Sequence, residues 1–171
     1  MRIPLTYDQQ IRLAGNSYLP DWDWLRLKAQ LFQESQLDPK AVSPVGAKGI
    51  AQFMPATWVD VCNRMGFPQS ASPFDPAFAI PGAAWYMDTL RKQWTAPRPD
   101  LERWRLTLAT YNTGMGNMLK AQKAADGAND FETIMAYLPA VTGPAGSLET
   151  RTYVSRIESY YRQLRAAEDN T

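Results

Sequence analysis

The stretch DWDWLRLKAQLFQESQLD, residues 21–38, contains the pattern that decides the fold. Its apolar residues recur at the three- and four-residue spacing that places side chains on one face of an α-helix: Trp24, Leu27 and Leu31. Asp21 or Asp23 can cap the start of this helix, and the proline after Asp38 disfavours its continuation. The next position on the apolar face is Glu34, so a carboxylate stands where a helix normally carries a buried apolar side chain.

The position of Glu34 has two interpretations. A glutamate near the end of a helix can bend outward into solvent, which is the usual location of this residue type. A carboxylate held on an apolar face near the negative end of the helix dipole would instead have a raised pKa, because both surroundings disfavour the ionised form. A general acid needs a raised pKa in order to keep its proton near neutral pH. The pattern makes Glu34 a candidate catalytic acid and leaves both interpretations open.

Helical spacing continues along most of the 171 residues. Further helix starts are predicted at positions marked by an aspartate or a proline: Pro55, Asp75–Pro76, Asp100 and Asp130. Gly66 marks the end of one helix, and the last helix is predicted over residues 149–167. Candidate strands are few and short, which leaves room for only a small hairpin near residues 40–50. We therefore predict an all-α fold that forms a single domain over residues 1–171.

The composition excludes several classes of chemistry. Histidine is absent, which rules out a Ser-His-Asp triad, a Cys-His pair and an HExxH zinc site. The lone Cys62 cannot form an internal disulfide or a thiolate metal cluster. Catalysis without a cofactor would therefore depend on carboxylates, tyrosine or lysine. The net charge of +1 argues against binding to nucleic acid or to an anionic membrane through bulk electrostatics.

Targeting signals are also missing from the sequence. No apolar run approaches the roughly 18 residues of a membrane span, so no membrane insertion is predicted. The N-terminal stretch MRIPLTYDQQ has no apolar core like that of a secretory signal, because polar residues interrupt it early. The expectation is a protein without an export signal of the usual kind.

Four short motifs, in this chain order, resemble the catalytic domain of the soluble lytic transglycosylases. They are FQES at residues 32–35, SPVGAKGIAQFMP at 43–55, LATYNTG at 108–114 and LETRTYV at 148–154. Each motif is weak alone, and their order over about residues 22–165 makes the combination specific. The resemblance implies a lysozyme-like, mostly helical fold that acts on the glycan strands of peptidoglycan. It implies no metal and no cofactor.

The resemblance implies that Glu34 is the single catalytic carboxylate. It would first protonate the oxygen that links N-acetylmuramic acid to N-acetylglucosamine, with help from the N-acetyl group of the substrate itself. It would then accept a proton from the 6-hydroxyl of the same sugar, which closes a 1,6-anhydro ring without water. If water reached the anomeric carbon instead, the same site would be a muramidase similar to goose-type lysozyme.

The second motif supplies expected substrate contacts. The resemblance implies that Ser43 hydrogen-bonds the sugar close to the acid, although its hydroxyl can equally cap its own turn. Gln52 and Met54 would line the sugar cleft, and Met54 could equally pack in the core. Gly46 and Gly49 would give a tight backbone bend that lets the glycan approach.

The third and fourth motifs supply the remaining candidates. Tyr111 would touch the reacting sugar or hold the acid in place, the alternative being a buried tyrosine with a satisfied hydroxyl. Asn112 would secure the loop. Glu149 would contact substrate or orient a loop, without taking part in the chemistry, and Arg151 could pair with it. Tyr153 completes the set of expected substrate-binding residues.

This interpretation has two functional alternatives, and the protein has two candidate biological settings. A muramidase acting on the same linkage is one alternative, and an inactive peptidoglycan-binding or virion structural module is the other. The module would be expected to have lost the glutamate or the Tyr-Asn pair, and both are present. The compact size and the missing export signal favour a phage lysis enzyme, or a virion-associated murein-degrading protein, over a bacterial enzyme without its leader. We expect a monomer, because no apolar stripe remains unassigned.

Overall fold

A computed structural model describes residues 3–169, which form eight α-helices. In chain order these are α1 (Asp8–Tyr18), α2 (Trp24–Ser35), α3 (Pro55–Met65), α4 (Pro76–Gln93), α5 (Asp100–Thr113), α6 (Met115–Ala124), α7 (Phe131–Tyr137) and α8 (Pro139–Glu168). A kink interrupts α8 at Gly143, whose backbone is not helical (φ 79°, ψ 163°). None of the helices within 3–169 is both long and apolar enough to cross a membrane. The predicted all-α fold is confirmed.

The small hairpin predicted near residues 40–50 is reduced to isolated bridges. Val42 pairs with Lys48, and Lys48 pairs with Phe53, each in antiparallel orientation, but the described part of the chain contains no strand. Three residues of this segment have positive φ angles: Gly46, Gly49 and Gln52. Because the backbone changes direction at each of them, too few consecutive residues are extended to form a ladder.

Most helix boundaries follow local sequence signals. Three predicted caps are confirmed, each with a side-chain oxygen that accepts a backbone N–H at 2.8–3.0 Å: Asp23, Asp75 and Asp130. Gly66 ends α3 in the left-handed conformation, also as predicted. Asp100 is not a cap, because the capping position is occupied by Pro99. Asp100 lies in the first turn of α5 instead, where its charge complements the positive end of the helix dipole.

Two helices, α1 and α6, lie in segments where the sequence pattern predicts none. Only three positions of α1 are buried, and the segment is otherwise polar, so its apolar periodicity is weak: Ile11, Ala14 and Gly15. α6 begins directly after Gly114 (φ 89°), without a side-chain cap. α8 begins at Pro139 rather than at Glu149, because the chain turns at Gly143 and then continues as helix.

The chain packs as two compact units, the first of which contains the residues up to Tyr86 and those from Ile157 onward. Its most enclosed element is α2, in which every residue from Leu27 to Phe32 is buried. α1 packs closely against α2, since a Cβ added at Gly15 would lie 3.1 Å from the Cβ of Trp24. This approach leaves no room for a larger side chain at Gly15.

Two further contacts hold α2 within the first unit. The ring of Tyr160, from the end of α8, packs edge-on against Phe32 with 4.9 Å between ring centroids. Lys28, only 1% exposed, forms an ion pair with Asp8 of α1. A buried ammonium group needs such a partner, because an unpaired buried charge is strongly destabilising. The helix is therefore fixed from several directions by apolar packing and by charge.

The second unit comprises Met87–Arg156. Here α5, α6 and α7 pack against one another. The backbone N–H of Phe131 donates to Glu102 at 2.6 Å, which connects the start of α7 to α5. The indole N–H of Trp94 donates to the hydroxyl of Thr110 at 3.0 Å. These two hydrogen bonds each connect parts of the unit that are far apart in sequence.

Gly49 and Gly46 provide a matched test of the loop. A Cβ at Gly49 (φ 75°) would lie 1.8 Å from the carbonyl oxygen of Pro73, whereas one at Gly46 (φ 87°) would meet nothing within 4 Å. We expect Gly49→Ala to lower the free energy of unfolding by about 3 kcal/mol or more, from backbone strain plus steric overlap. Gly46→Ala introduces backbone strain without steric overlap, so it should lower the free energy of unfolding by only about 1 kcal/mol. Urea denaturation measures both, and equal losses would contradict the predicted overlap.

Candidate active site

Glu34 lies one residue before α2 ends at Ser35. Its side chain is half-buried, whereas the middle of the helix is enclosed. Gln36 and Leu37 follow in left-handed conformations (φ 57° and 66°), and they turn the chain off the helix axis. The carboxyl group is therefore carried by a rigid helix at the point where the enclosure ends.

Ser35 connects this end of α2 to the segment of residues 41–53, called here the 41–53 loop. The Ser35 hydroxyl donates to the carbonyl oxygen of Ile50 at 2.8 Å. Within the loop, the N–H of Gly49 donates to the carbonyl of Ala41, also at 2.8 Å. The residue next to the candidate acid is thus bonded to the loop that carries two of the expected substrate contacts, Ser43 and Gln52.

Ser43 holds a turn within the 41–53 loop. Its hydroxyl oxygen accepts the N–H of Ala47 at 3.0 Å, and its own backbone N–H donates to the carbonyl of Ala47 at 2.9 Å. The turn-capping alternative is therefore present in the structure. A hydroxyl that accepts one hydrogen bond still has its proton to donate, so the cap does not prevent a contact with a sugar.

Gln52 and Met54 occupy different surroundings in the same region. The side-chain amide nitrogen of Gln52 donates to the carbonyls of Gly49 (2.9 Å) and Ala41 (3.3 Å), so it stabilises the loop. Its carbonyl oxygen is the part of the amide that can accept a further hydrogen bond. Met54, at the start of α3, is 43% exposed, which excludes the alternative that it packs in the core.

Tyr86 packs close to the end of the 41–53 loop. Its ring centroid lies 6.2 Å from that of Phe53. Burial raises the pKa of Tyr86 above its usual value, and the negative charge of Asp60 raises this pKa further. Both effects disfavour the phenolate, so the hydroxyl stays protonated throughout the neutral range.

The Tyr-Asn pair lies on α5 in the second unit. Tyr111 is half-buried. The side-chain oxygen of Asn112 accepts the hydroxyl of Thr150 on α8 at 2.8 Å. Thr150 also bonds the carbonyl of Gly146 at 3.1 Å, one turn earlier on its own helix. Asn112 is thus fixed by a partner that the sequence analysis did not identify.

The fourth motif differs in part from expectation. Arg151 pairs with Glu132 at 2.8 Å, so the suggested pairing with Glu149 is replaced by a contact to α7. Glu149 itself is exposed. Tyr153 is only 6% exposed, which leaves little of its surface for a ligand.

The predicted site residues fall into two groups. The first unit contains Glu34, Ser43, Gln52 and Met54, and the second contains Tyr111, Asn112, Glu149 and Tyr153. Within the first unit, the bond between Ser35 and Ile50 links the helix of the acid to the loop that carries Ser43 and Gln52, and Met54 follows that loop at the start of α3. Sequence reasoning did not identify Ser35 and Thr150 as supporting residues. Both stand inside the quoted motifs, but their partners are distant in sequence.

Comparison with known proteins identifies the family. The model of the transglycosylase SLT domain matches residues 20–134. The chain belongs to this family. It is 31% identical over 170 residues to the membrane-bound lytic murein transglycosylase F of Maricaulis maris, which covers 91% of this chain and 35% of that protein. The chain thus spans about a third of the length of the curated relatives it matches. The resemblance derived from the four motifs is confirmed.

Solved structures agree with this assignment. The 70-kDa soluble lytic transglycosylase of Escherichia coli has a TM-score of 0.71 and 26% identity, over 96% of this chain and 25% of that one. A complex of the 70-kDa soluble lytic transglycosylase with bulgecin A has a TM-score of 0.77, also at 26% identity, over 98% of this chain and 25% of that one. The helical fold of the SLT domain chain is therefore shared with these enzymes.

The Ser35 bond can be tested against a matched serine. Ser35→Ala removes the donor to Ile50, a fully buried residue, and should lower the free energy of unfolding by about 1 kcal/mol. Ser17, near the end of α1, donates only to Leu13 of its own helix and is exposed. Ser17→Ala should change stability by less than about 0.5 kcal/mol. If urea denaturation gave the same change for both variants, the bond to Ile50 would contribute nothing to stability.

Proposed function

We propose that this SLT domain is a lytic transglycosylase that cleaves the β-1,4 linkage between N-acetylmuramic acid and N-acetylglucosamine in peptidoglycan. One observation carries the proposal: Glu34 is a half-buried carboxyl group at the end of an enclosed helix, in a chain of this family. The name of the Maricaulis maris relative, a lytic murein transglycosylase, supports the same activity. Glycan strands of peptidoglycan are the proposed partner.

In the first step Glu34 acts as a general acid. Its carboxyl proton moves to the glycosidic oxygen, the bond from that oxygen to C1 of the muramic acid breaks, and the glucosamine leaves with a 4-hydroxyl. The developing positive charge at C1 is stabilised by the carbonyl oxygen of the N-acetyl group on the same sugar. Histidine is absent from the chain, which leaves carboxyl groups, tyrosine and lysine for this proton transfer, and Glu34 is the proposed donor among them.

In the second step the same group acts as a general base. The Glu34 carboxylate takes the proton of the 6-hydroxyl, and the oxygen of that hydroxyl attacks C1. A 1,6-anhydro ring forms, and Glu34 is again protonated for the next cycle. No water is consumed. A half-buried location favours this outcome, because limited solvent access reduces competition from hydrolysis.

The 41–53 loop and Met54, the residue that follows it, are proposed to bind the sugar beside the acid. Ser43 would donate its hydroxyl proton, since its oxygen already accepts the N–H of Ala47. Gln52 would accept a sugar hydroxyl through its carbonyl oxygen, since its nitrogen is bonded to the loop. Met54 would offer an exposed apolar surface to the face of a sugar ring.

The candidate residues of the second unit are proposed to differ in how directly they contact the substrate. Tyr111, half-buried on α5, would contact the substrate through its ring edge or its hydroxyl. Asn112 would donate its amide N–H to the substrate, since its side-chain oxygen already accepts the Thr150 hydroxyl. Glu149, which is exposed, would contact substrate without taking part in the chemistry. Tyr153, largely buried, would support the site through packing and offer the substrate little surface.

The biological setting stays a prediction from the sequence. The predicted setting is a phage lysis enzyme that acts on the cell wall after release from the host cytoplasm, or a virion-associated enzyme. The relatives compared above come from bacteria, and their names describe membrane-bound enzymes. Action on cell-wall peptidoglycan is common to both settings. The monomeric state also stays a prediction.

Mass spectrometry of the soluble products from purified peptidoglycan tests the proposed reaction. Muropeptides that end in 1,6-anhydro-N-acetylmuramic acid, one water lighter than the hydrolysis products, are expected from the wild-type protein. Reducing-end N-acetylmuramic acid would make the domain a muramidase. A folded protein that gives no products would favour the alternative of a binding module.

Replacement of the acid tests the assignment of Glu34. Glu34→Gln removes the transferable proton and should lower the rate of muropeptide release about 10³-fold or more, with the fold retained. Glu132→Gln is the matched control, because Glu132 is an exposed glutamate that pairs with Arg151, and this variant should release muropeptides at the wild-type rate. Glu149→Gln should keep at least about a tenth of the activity, as a binding residue would. A Glu34→Gln variant with near wild-type activity would falsify the assignment.

A further inference from the structure

The side chain of Gln30 is buried without a hydrogen-bond partner. It is 0% exposed in the middle of α2. Neither its amide nitrogen nor its amide oxygen has a partner within residues 3–169. Buried side-chain amides are normally paired, since each such atom has lost its hydrogen bonds to water. A glutamine in this condition needs an explanation other than packing, because leucine or methionine would fill the same space without polar atoms.

Gln30 and Glu34 are neighbours on the surface of one helix. They are four residues apart in α2, which places their Cβ atoms about 6 Å from each other on the same face. Helical side chains lean toward the N-terminus, so the side chain of Glu34 extends back over the turn that contains Gln30. The unpaired amide therefore belongs to the same helix face as the proposed acid and base, one turn before it.

A side-chain amide suits both forms of this carboxyl group. Its N–H groups can donate to the carboxylate, and its carbonyl oxygen can accept from the protonated acid. A group that must alternate between the two forms can keep this partner throughout the cycle. Catalytic hydrogen bonds are often long in a free enzyme and shorten only when substrate is bound, which is consistent with an amide that has no bond in this structure.

We propose that Gln30 is a positioning residue for Glu34. Its amide hydrogen-bonds the Glu34 carboxyl group, directly or through one bound water molecule, and holds that group in the orientation that proton transfer requires. The proposal rests on the proposed function of Glu34. It adds a residue outside the four motifs, since Gln30 precedes the first of them.

A double-mutant cycle tests the contact without reference to activity. Gln30→Met keeps the length of the side chain and its helix preference but removes the amide, and Glu34→Ala removes its partner. If the two groups interact, the unfolding constant of the double variant should differ from the product of the single effects by about threefold or more. Gln33→Leu supplies the control cycle, because Gln33 lies on a different face of the same helix and should combine with Glu34→Ala within about twofold.

Kinetics on purified peptidoglycan test the positioning role. Gln30→Met should lower kcat about tenfold with KM within about twofold of wild type, because an acid that loses its orientation affects catalysis more than binding. A merely structural role would alter stability and leave the kcat of the folded fraction unchanged. If Gln30→Met does not fold, Gln30→Leu is measured in the same way.

The outcomes separate this proposal from the one on which it rests. Coupling in the cycle together with a lower kcat would support both. An additive cycle in an active enzyme would overturn the role of Gln30 and leave the assignment of Glu34 intact. Coupling in a folded wild-type protein that releases no muropeptides would support the contact and contradict the proposed activity.

Discussion

α2 can hold a carboxyl group in one place because its residues from Leu27 to Phe32 are buried, and so the helix cannot shift without disturbing the packed core of the first unit. α1 contacts it at Trp24, and the end of α8 contacts it at Phe32. Burying a polar group on an enclosed helix also costs free energy, because the group loses its hydrogen bonds to water. Glu34 avoids most of this desolvation penalty because it stands at the end of the helix, where the enclosure stops.

The 41–53 loop depends on the position of α2 in turn. The loop is closed by its own hydrogen bonds, such as those from the Gly49 N–H to Ala41 and from the Ser43 N–H to Ala47, and contacts from outside fix it against its neighbours. The Ser35 hydroxyl supplies one such contact at Ile50, and the close approach of Pro73 to Gly49 supplies another. The side chains of the loop are therefore positioned by the helix that carries the candidate acid. This contact fixes the loop and the acid relative to each other.

The signals that the sequence carries are local ones. Caps at Asp23, Asp75 and Asp130 were predictable because each interaction spans two or three residues. α1 was not, because its apolar face is short and it is held largely by contacts with α2.

The same distinction separates the parts of the candidate site. Glu34 could be found from the helical spacing of its own segment, and the family from four motifs in order. The bond from Asn112 to Thr150 and the ion pair from Arg151 to Glu132 join residues that only the fold brings together. The sequence indicated no partner for Asn112, and it suggested Glu149 rather than Glu132 as the partner of Arg151. The supporting residues of a site are thus the part that helical periodicity and motifs do not reveal.

In the proposed reaction, one carboxyl group performs both halves of the acid-base cycle. Such a group must be stable in two charge states, which neither full burial nor full exposure provides. Full burial would disfavour the carboxylate, and full exposure would disfavour the acid near neutral pH. The half-buried end of α2 lies between these limits, and an adjacent amide that can both donate and accept suits the same requirement. Under the proposed mechanism, the chemistry of the acid accounts for the polar residue buried one turn before Glu34, for which the packing of the core gives no reason.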